Sequence, residues 1–277
     1  MSNPIVSVCI PTYRGSQFLA AAIDSVLNQT YQNFEIWILD DNSPDDTELI
    51  ALSYSDPRVK YIRNSHNLGP EGNWNRCLGV ATGKYYKLLP HDDVLARDCL
   101  EAQVSILEAD KAGEIALVFG SRKIIDPEGR TLLTRGLPRT KAGRIKSLEL
   151  IKRCIRAGTN LIGEPGNGLF RLELIKKVGF YDASHPYMVD LDYWFRILLH
   201  GDAYYISEQT SSFRLCPGSW SVAIGGKQYQ DFKGFVNKFC ADARYKITNL
   251  DRLVGLAKAQ LNTIARAVFY RYLFSGK

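Results

Sequence analysis

The sequence lacks the patterns that mark membrane-spanning and disulfide-bonded proteins. No run of about 18 apolar residues occurs, so no spanning helix is expected. The N-terminus has no basic stretch followed by a long apolar run, so no signal peptide is predicted. The six cysteines are scattered without a CxxC pair, which predicts free thiols rather than a disulfide framework or a zinc site. Together these absences predict a cytoplasmic location.

An excess of positive charge is also missing, except at the C-terminal end. The chain of 277 residues has a net charge of +6. From Arg244 onward there are seven Lys and Arg residues against one acid, Asp251, whereas the rest holds 28 basic and 28 acidic residues. A neutral body does not predict a general nucleic-acid-binding surface, so we expect no nucleic-acid partner.

Short apolar runs alternate with helical patterns along the chain. In the first half, strands are predicted at residues 5–10, 34–39, 59–62 and 85–89, and helices at 17–29, 47–53 and 73–82. This alternation predicts an α/β fold built from right-handed βαβ units around a mostly parallel sheet. In the second half, helices are predicted at 95–109, 147–157, 172–178 and 190–200, and strands at 115–119 and 203–206. Residues 123–144 show little periodicity beyond one turn, and we expect an irregular excursion there.

Two adjacent carboxylates, Asp92 and Asp93, follow the fourth predicted strand. Such a pair is costly to hold together because the two charges repel each other. Mg²⁺ or Mn²⁺ removes that cost, prefers oxygen ligands and often bridges carboxylates to substrate phosphates. A solvated turn or a helix N-cap is the alternative, because Asp favours both. We prefer the metal interpretation because other strand ends point to a nucleotide.

Three other strand ends offer residues that suit a nucleotide. Pro11-Thr12-Tyr13 follows the first strand, Asp40-Asp41 the second, and Asn67-Leu68-Gly69 the third. A tyrosine can stack on a base, an aspartate can accept from a base N–H or a ribose hydroxyl, and a glycine allows close backbone approach. Ligands bind outside the carboxyl ends of parallel strands, so a nucleotide site is predicted at this edge. For Asp40-Asp41 alone, a capped turn is the alternative.

Motifs in a defined order extend this pattern over residues 5–95. They are Val6-Ser7-Val8-Cys9-Ile10-Pro11-Thr12-Tyr13, Ser25-Val26-Leu27-Asn28-Gln29-Thr30-Tyr31, Phe34-Glu35-Ile36, Asp40-Asp41-Asn42-Ser43, Asn67-x-Gly69, Ala81-x-Gly83 and Asp92-Asp93. In content and order they resemble the family 2 inverting glycosyltransferases of the GT-A fold. The second half matches more loosely, through Gly168-Leu169-Phe170, Val178-Gly179-Phe180-Tyr181-Asp182, Asp190-x-Asp192 with Arg196, and Phe213-Arg214.

The resemblance implies roles for individual residues. A nucleotide-sugar would contact Pro11, Thr12, Tyr13, Asp40, Asp41, Asn67, Gly69, Asn75 and Asp92. Asp93, with Asp92, would hold Mg²⁺ or Mn²⁺, and Asp190 would be the general base. The family's chemistry is direct displacement at the anomeric carbon, with the metal stabilising the leaving diphosphate. Asp190 also lies at the start of an apolar helix, where we expect the helix dipole to stabilise an ionised carboxylate. The alternative is that Asp190 is a plain N-cap.

Four positions depart from the family pattern. Pro90 replaces the first acid of the usual DxD motif, and Val189 replaces the Glu of a Glu-Asp pair. Trp74 replaces an Arg beside Asn75, and Cys216 replaces a His. A non-catalytic nucleotide-sugar-binding or glycan-binding protein with a degenerate GT-A fold is therefore the alternative. A Rossmann dehydrogenase is discounted because no GxGxxG follows the first strand.

The resemblance also implies domains and partners. Residues 1–243 would form the GT-A domain, with a nucleotide-binding half at 1–95 and an acceptor-binding half at 96–243. The expected donor is a UDP-sugar, with thymidine diphosphate rhamnose as the alternative. The expected acceptor is a glycan or a lipid-linked saccharide in cell-surface polysaccharide synthesis. Acceptor choice would lie in residues 123–170 and after residue 207.

The remaining residues, 244–277, form a basic tail. Within it, residues 250–274 place apolar side chains at helical spacing among Lys and Arg residues. Such a helix can lie on the inner face of an anionic cytoplasmic membrane. It can equally pack on the catalytic domain or on a second subunit, and both alternatives stay open at this point.

Overall fold

The computed structural model describes residues 5–217, 222 and 225–274. The strands are β1 (Val6–Thr12), β2 (Phe34–Asp40), β3 (Val59–Arg63), β4 (Tyr85–Leu88), β5 (Val94–Leu95), β6 (Ile115–Ile125), β7 (Thr131–Arg135), β8 (Gly143–Ile145), β9 (Gly168–Arg171) and β10 (Asp202–Arg214). The helices include α1 (Leu19–Leu27), α2 (Thr47–Leu52), α3 (Gly69–Val80), α4 (Cys99–Ala109), α5 (Ser147–Ala157), α6 (Ile175–Val178), α7 (Val189–Leu198), α8 (Gln228–Ala241) and α9 (Asn249–Phe274).

All of these strands belong to one sheet with the order β3-β2-β1-β4-β9-β6-β10-β5, to which β7 is added on β6 and β8 on β10. Strands β1 to β4 pair in parallel, as do the long strands β6 and β10. The pairings of β9, β7, β8 and β5 are antiparallel. The predicted α/β fold, with a mostly parallel sheet flanked by helices, is confirmed.

The core lies on both faces of this sheet. Every residue of β1 is buried, as expected for a strand covered by helices on both sides. One face packs against α1 and α4, for example through Ile23 and Val104. The other packs against α5, α7 and α8, for example through Trp194 and Phe235.

The strand order reverses next to β1, and this position defines the ligand edge. The chain adds β2 and then β3 on one side of β1, and it then crosses to place β4 on the other side. In open α/β sheets, ligands bind at such a reversal, outside the carboxyl ends of the strands. Thr12 lies opposite Asp40 in the pairing of β1 with β2, and Cys9 lies opposite Leu88 in the pairing with β4.

Residues 123–144 are more regular than predicted. Strand β6 continues to Ile125, the turn forms at residues 126–129 with Gly129 at φ +83°, and β7 returns along β6. Strand β8 pairs with β10, which is much longer than predicted because it follows β6 along its length. The helix predicted at 172–178 is shorter: a 3₁₀ turn, Leu172–Leu174, precedes α6. Partner strands distant in sequence therefore supply order that the local pattern lacks.

The C-terminal helix α9 packs on the end of α5. A Cβ atom on Gly255 would lie 2.3 Å from the Ile155 carbonyl oxygen, so the two backbones approach closely. Asp251 is buried and forms an ion pair with Arg156. The opposite face of α9 exposes large apolar side chains, at Leu250, Leu253, Leu261, Ile264 and Val268. No helix in the described ranges is both long and apolar enough to span a membrane.

Candidate active site

The carboxyl ends of β1 and β2 bring the first group of predicted ligands together. The Asp41 N–H donates to the Thr12 carbonyl oxygen at 2.8 Å. The Thr12 hydroxyl is buried and has no hydrogen-bond partner among the described residues. Tyr13 is 40% exposed, and the Arg14 guanidinium lies 5.5 Å from the centroid of its ring. This edge thus presents an aromatic ring beside the end of β1, which contains Pro11.

Asp40 lies beneath this edge rather than on it. Its side chain is fully buried. One carboxylate oxygen accepts from the Ser43 backbone N–H at 2.9 Å and from the Ser43 hydroxyl, and the other accepts from the Tyr61 hydroxyl at 2.7 Å. With both oxygens engaged internally, Asp40 has a structural role: it shapes the loop in which Asp41 lies.

Asp41 connects the end of β2 to the start of α3. It is 2% exposed, and its carboxylate accepts from the Leu68 N–H at 2.8 Å and the Gly69 N–H at 2.9 Å. Gly69 has φ +75°, a left-handed conformation that favours glycine and directs its N–H toward Asp41. Asn67 is exposed and donates to the Asp41 carbonyl oxygen at 3.2 Å. Asp41, Asn67 and Gly69 are therefore adjacent, but both Asp41 oxygens already accept hydrogen bonds, one of them also from the Asn64 amide at 2.7 Å, so this carboxylate orders the loop as Asp40 does.

Asn75 is occupied elsewhere. Its amide donates to the Tyr181 carbonyl oxygen at 3.2 Å and accepts from the Tyr181 N–H at 2.7 Å. This two-way contact ties α3 to the loop that follows α6. Asn75 is better assigned as a structural link than as a donor ligand, because both ends of its amide already have partners.

Asp92 and Asp93 follow β4 after a turn at Pro90. Asp93 is 2% exposed and accepts from the Arg214 N–H at 2.9 Å, while Arg214 Nε donates to the Asp92 carbonyl oxygen at 2.9 Å. Burial and then the neighbouring Asp92 charge raise the pKa of Asp93 well above its ordinary value. The described residues contain no group of three or more His, Cys, Asp or Glu arranged as a metal site.

Cys216 lies close to this pair. Burial, followed by the charge of Asp92, raises the pKa of the Cys216 thiol to about 11. The thiol is therefore protonated near neutral pH.

Asp190 lies in the first turn of α7. Its two carboxylate oxygens accept from the Asn160 side-chain amide at 2.9 Å and from the Leu191 N–H at 2.7 Å. Burial, followed by the charge of Glu164, raises the pKa of Asp190 to about 7. This raised pKa differs from the expectation of a stably ionised carboxylate, because burial and the Glu164 charge outweigh the hydrogen bonds from Leu191 and Asn160. The N-cap alternative was wrong, because Met188 occupies that position.

Glu164, which sequence reasoning missed, is the second carboxylate near Asp190. It forms an ion pair with Arg122, whose side chain is 2% exposed. Burial raises the pKa of Glu164, but Arg122, a backbone hydrogen bond and the charge of Arg135 together lower it by more, so the pKa is lowered overall. Opposite pKa shifts in neighbouring acids indicate different roles: Glu164 stays ionised, while Asp190 exchanges protons near neutral pH. The only signal in the sequence was the polar, glycine-rich character of residues 159–168.

One cavity joins the two ends of this site. Its lining includes Asp92, Glu164 and Asp190, and its volume is about 210 Å³. A single water needs only ~10–15 Å³, so the cavity can admit part of a ligand. The structure thus brings together Asp92 and Asp190, which are far apart in sequence.

Comparison with known proteins identifies the family. The family model described as "Glycosyl transferase family 2" matches residues 7–179. An uncharacterized glycosyltransferase of Rickettsia typhi is 31% identical over 210 residues, which are 74% of this chain and 62% of the relative. The Escherichia coli UDP-Glc:alpha-D-GlcNAc-diphosphoundecaprenol beta-1,3-glucosyltransferase WfgD is 34% identical over 126 residues, 46% of this chain and 49% of the relative. The chain thus spans about half to two thirds of these proteins.

Solved structures share the fold. TarS of S. aureus (residues 1–349), in complex with UDP-GlcNAc, superposes with a TM-score of 0.68 at 18% identity, covering 85% of this chain and 66% of that one. The mannosyltransferase PcManGT of Pyrobaculum calidifontis, in complex with GDP-Man and Mn²⁺, superposes with a TM-score of 0.62 at 18% identity, covering 99% of this chain and 76% of that one. At this identity the likeness establishes the GT-A fold alone.

Proposed function

This chain belongs to glycosyl transferase family 2, and we propose that it transfers a sugar from a nucleotide diphosphate sugar to a hydroxyl group of a glycan or lipid-linked saccharide. The proposed donor is a UDP-sugar, and the reaction inverts the configuration at the anomeric carbon. One observation carries this proposal: Asp190, whose pKa is raised to about 7, lines the same cavity as Asp92. Asp92 belongs to the Asp92-Asp93 segment, the predicted metal site, which we call the metal edge.

The proposed donor site is the edge formed by the ends of β1 and β2. Tyr13 offers an exposed ring for the base, and Asn67 and Gly69 border the loop of Asp41. The buried, unpaired hydroxyl of Thr12 supports a polar ligand at this edge. WfgD is named for a UDP-glucose donor and TarS was solved in complex with UDP-GlcNAc, which supports UDP as the carrier.

The Asp92-Asp93 segment fits a divalent cation, Mg²⁺ or Mn²⁺. Neither the Asp92 carboxylate nor Oδ2 of Asp93 accepts a hydrogen bond from a residue that the structure describes. Two adjacent carboxylates with free oxygens are the donor set that such ions prefer. When bound, the cation would neutralise charge on the departing diphosphate. The PcManGT complex, which contains Mn²⁺, supports this assignment.

The proposed mechanism uses the cavity between the metal edge and α7. An acceptor hydroxyl oxygen forms the new bond to the anomeric carbon while the bond to the diphosphate oxygen breaks with its electron pair. Asp190 takes the hydroxyl proton, and a pKa of about 7 suits that task at neutral pH. Asn160 and the Leu191 N–H hold the Asp190 carboxylate in place.

Nucleotide release from a panel of nucleotide-sugars, with Mn²⁺ and with a chelator, tests the proposal. We expect one UDP-sugar to be turned over with Mn²⁺ and to raise the melting temperature. A ligand at a hundred times its Kd stabilises by ~2.7 kcal/mol, which is easily measured. Binding without transfer or hydrolysis would favour the non-catalytic alternative, and the absence of both binding and turnover would refute the proposal.

We also propose that the exposed face of α9 contacts an anionic membrane surface. Leu253 and Leu261 lie on this face at 61% and 65% exposure, and the exposed Lys258 lies on the same helix. Arg266 does not contribute, because it points into the domain and contacts Tyr187.

Liposome co-sedimentation tests this contact better with surface variants than with truncation, because removing α9 would uncover α5. The double variant Leu253→Glu/Leu261→Glu should lose binding to anionic vesicles at low salt. The matched control is Leu49→Glu/Leu52→Glu, which charges two equally exposed leucines on α2. Equal binding by both double variants, or no binding by the wild type, would contradict the proposal.

A further inference from the structure

The catalytic cavity extends beyond Asp190 to a second, mostly apolar wall. Ile124 and Leu133 line it from the sheet, Leu215 lines it directly after β10, and Phe232 and Phe269 line it from α8 and α9. A site for a purely polar sugar needs few such side chains. The wall therefore suits a ligand that has an apolar part next to the group that reacts at Asp190.

Two arginines, Arg135 at the end of β7 and Arg266 on α9, also line this part of the cavity. Arg266 donates to the Tyr187 hydroxyl, to Gln228 Oε1 at 3.2 Å and to Thr159 Oγ1 at 2.6 Å, all neutral acceptors. The Arg135 side chain has no hydrogen bond or ion pair with another residue of the described ranges. Among the described residues, neither arginine therefore forms an ion pair with a carboxylate.

The carboxylates of the cavity form no ion pair with these two arginines. The charge of Glu164 acts favourably on Arg135, but Glu164 forms its ion pair with Arg122, whose own charge opposes that of Arg135. Asp190 accepts from Asn160, and Asp92 belongs to the metal edge. Burial, followed by the charge of Arg266, lowers the pKa of Arg135, so the two guanidinium groups lie close enough to repel each other. An anion between them would remove that repulsion.

The arginines are also close to the base. Thr159, which accepts from Arg266, is directly followed by Asn160, which donates to Asp190. An anion bound by Arg266 would therefore lie beside the acceptor hydroxyl within one cavity. Guanidinium groups bind phosphate oxygens in bidentate fashion, which makes phosphate the anion that fits best.

We propose that this cavity is the acceptor site, and that Arg135 and Arg266 bind the phosphate or diphosphate that joins the acceptor sugar to an apolar chain. The apolar chain then lies along the wall of Ile124, Leu133 and Phe269 and leaves next to α9. This inference rests on the proposed transferase function and adds the class of the acceptor.

Transfer to three synthetic acceptors that share one sugar tests the inference on the full chain. The first is an alkyl diphosphate of the sugar, the second the uncharged alkyl glycoside, and the third the sugar 1-phosphate without an alkyl chain. We expect the alkyl diphosphate to be used best, because only it engages both the arginines and the apolar wall. The inference is overturned if the uncharged glycoside is used equally well, or if the sugar 1-phosphate matches the alkyl diphosphate.

Charge-removing variants add a second readout. Arg135→Gln and Arg266→Gln should each raise KM for the alkyl diphosphate by about 10- to 100-fold, the effect of losing a charge-assisted hydrogen bond. KM for the donor and for the uncharged glycoside should not change. Lys176→Gln removes an exposed positive charge from α6, outside the lining of this cavity, and is the matched control. Equal KM changes for both acceptors, or none, would overturn the inference.

Two further measurements keep the test decisive. Should Arg266→Gln fail to fold, Arg135→Gln still tests the site, because the Arg135 side chain makes no hydrogen bond in the described ranges that the variant would lose. Donor hydrolysis in the absence of acceptor separates the two proposals. Hydrolysis that persists while the alkyl diphosphate has no advantage overturns the acceptor inference alone. A wild type that turns over no nucleotide-sugar at all refutes the proposed function, and the acceptor inference with it.

Discussion

Replacing Asp190 with asparagine should lower turnover but raise the stability of the fold. These opposite effects together test the role of Asp190 as a base. Asparagine has nearly the same shape but cannot accept the acceptor proton. Turnover should fall by about 10²–10⁴-fold while donor affinity stays the same. In the wild-type protein, kcat/KM should rise with pH and level off above a pH of about 7, because the ionised carboxylate is the base.

The stability effect follows from the raised pKa. The pKa of Asp190 is about 7 in the folded chain against an ordinary value of 3.8. Between pH 3.8 and pH 7, Asp190 is ionised in the unfolded chain but still protonated in the folded chain. The free energy of unfolding therefore falls as pH rises through this range, and the loss is complete above pH 7. About three pKa units correspond to a loss of ~4 kcal/mol, which the Asp190→Asn variant would not suffer. Loss of the charged acceptor for Asn160 costs ~1–3 kcal/mol, leaving a net gain of ~1–3 kcal/mol at pH 8.

Thermal unfolding at pH 4.5 and pH 8 measures this difference, with ~2–4 °C expected per kcal/mol for a chain of this size. The Asp190→Asn variant should melt above the wild type at pH 8 and show little or no gain at pH 4.5. Asp192→Asn is the matched control: the Asp192 side chain is 3% exposed and pairs with Arg196 at 2.7 Å and with Lys238, so its loss should destabilise at both pH values. A lower melting temperature for Asp190→Asn at pH 8, or near wild-type turnover, would refute the reasoning.

Three other substitutions test the metal edge, the structural role assigned to Asn75 and the packing of the C-terminal helix. Asp93→Asn should abolish the Mn²⁺ dependence of UDP binding in calorimetry; an unchanged dependence would exclude Asp93 as a ligand. Asn75→Ala should lower the free energy of unfolding in urea by ~1–2 kcal/mol and leave donor KM unchanged; a higher KM alone would return Asn75 to the donor site. Gly255→Val should lower the melting temperature, because a Cβ there would meet the Ile155 carbonyl oxygen at 2.3 Å; an unchanged temperature would contradict that packing.

The sequence predicted the first half of the fold well because the signals there are local. Each strand from β1 to β4 is a short apolar run, and the helices between them follow a helical period. Such patterns depend only on neighbouring residues. The same patterns placed Thr12, Asp41 and Asp92 at strand ends, and the topology then brings those ends to one edge. The domain boundaries at residues 95 and 243 stay predictions.

The sequence predicted residues 123–144 and β10 less well, because their order comes from distant pairing. Strand β6 gives β10 a partner about 90 residues away along most of its length, as in the pairing of Phe213 with Ile124. No period within residues 123–144 announces that β7 will return along β6 or that β8 will join β10. The pairing that stabilises these strands is therefore visible only in the folded chain.

The state of the site was decided by tertiary structure alone. The sequence named Asp40, Asn75 and Asp190 by type and position, but it could not show that partners engage the first two and that burial raises the pKa of the third to about 7. The sequence held no signal for the pair Arg135 and Arg266, because the two line one cavity only when α9 packs on α5. Local sequence sets backbone geometry and motif order. A pKa, a free hydrogen-bonding group or a cavity depends on what surrounds a side chain in three dimensions.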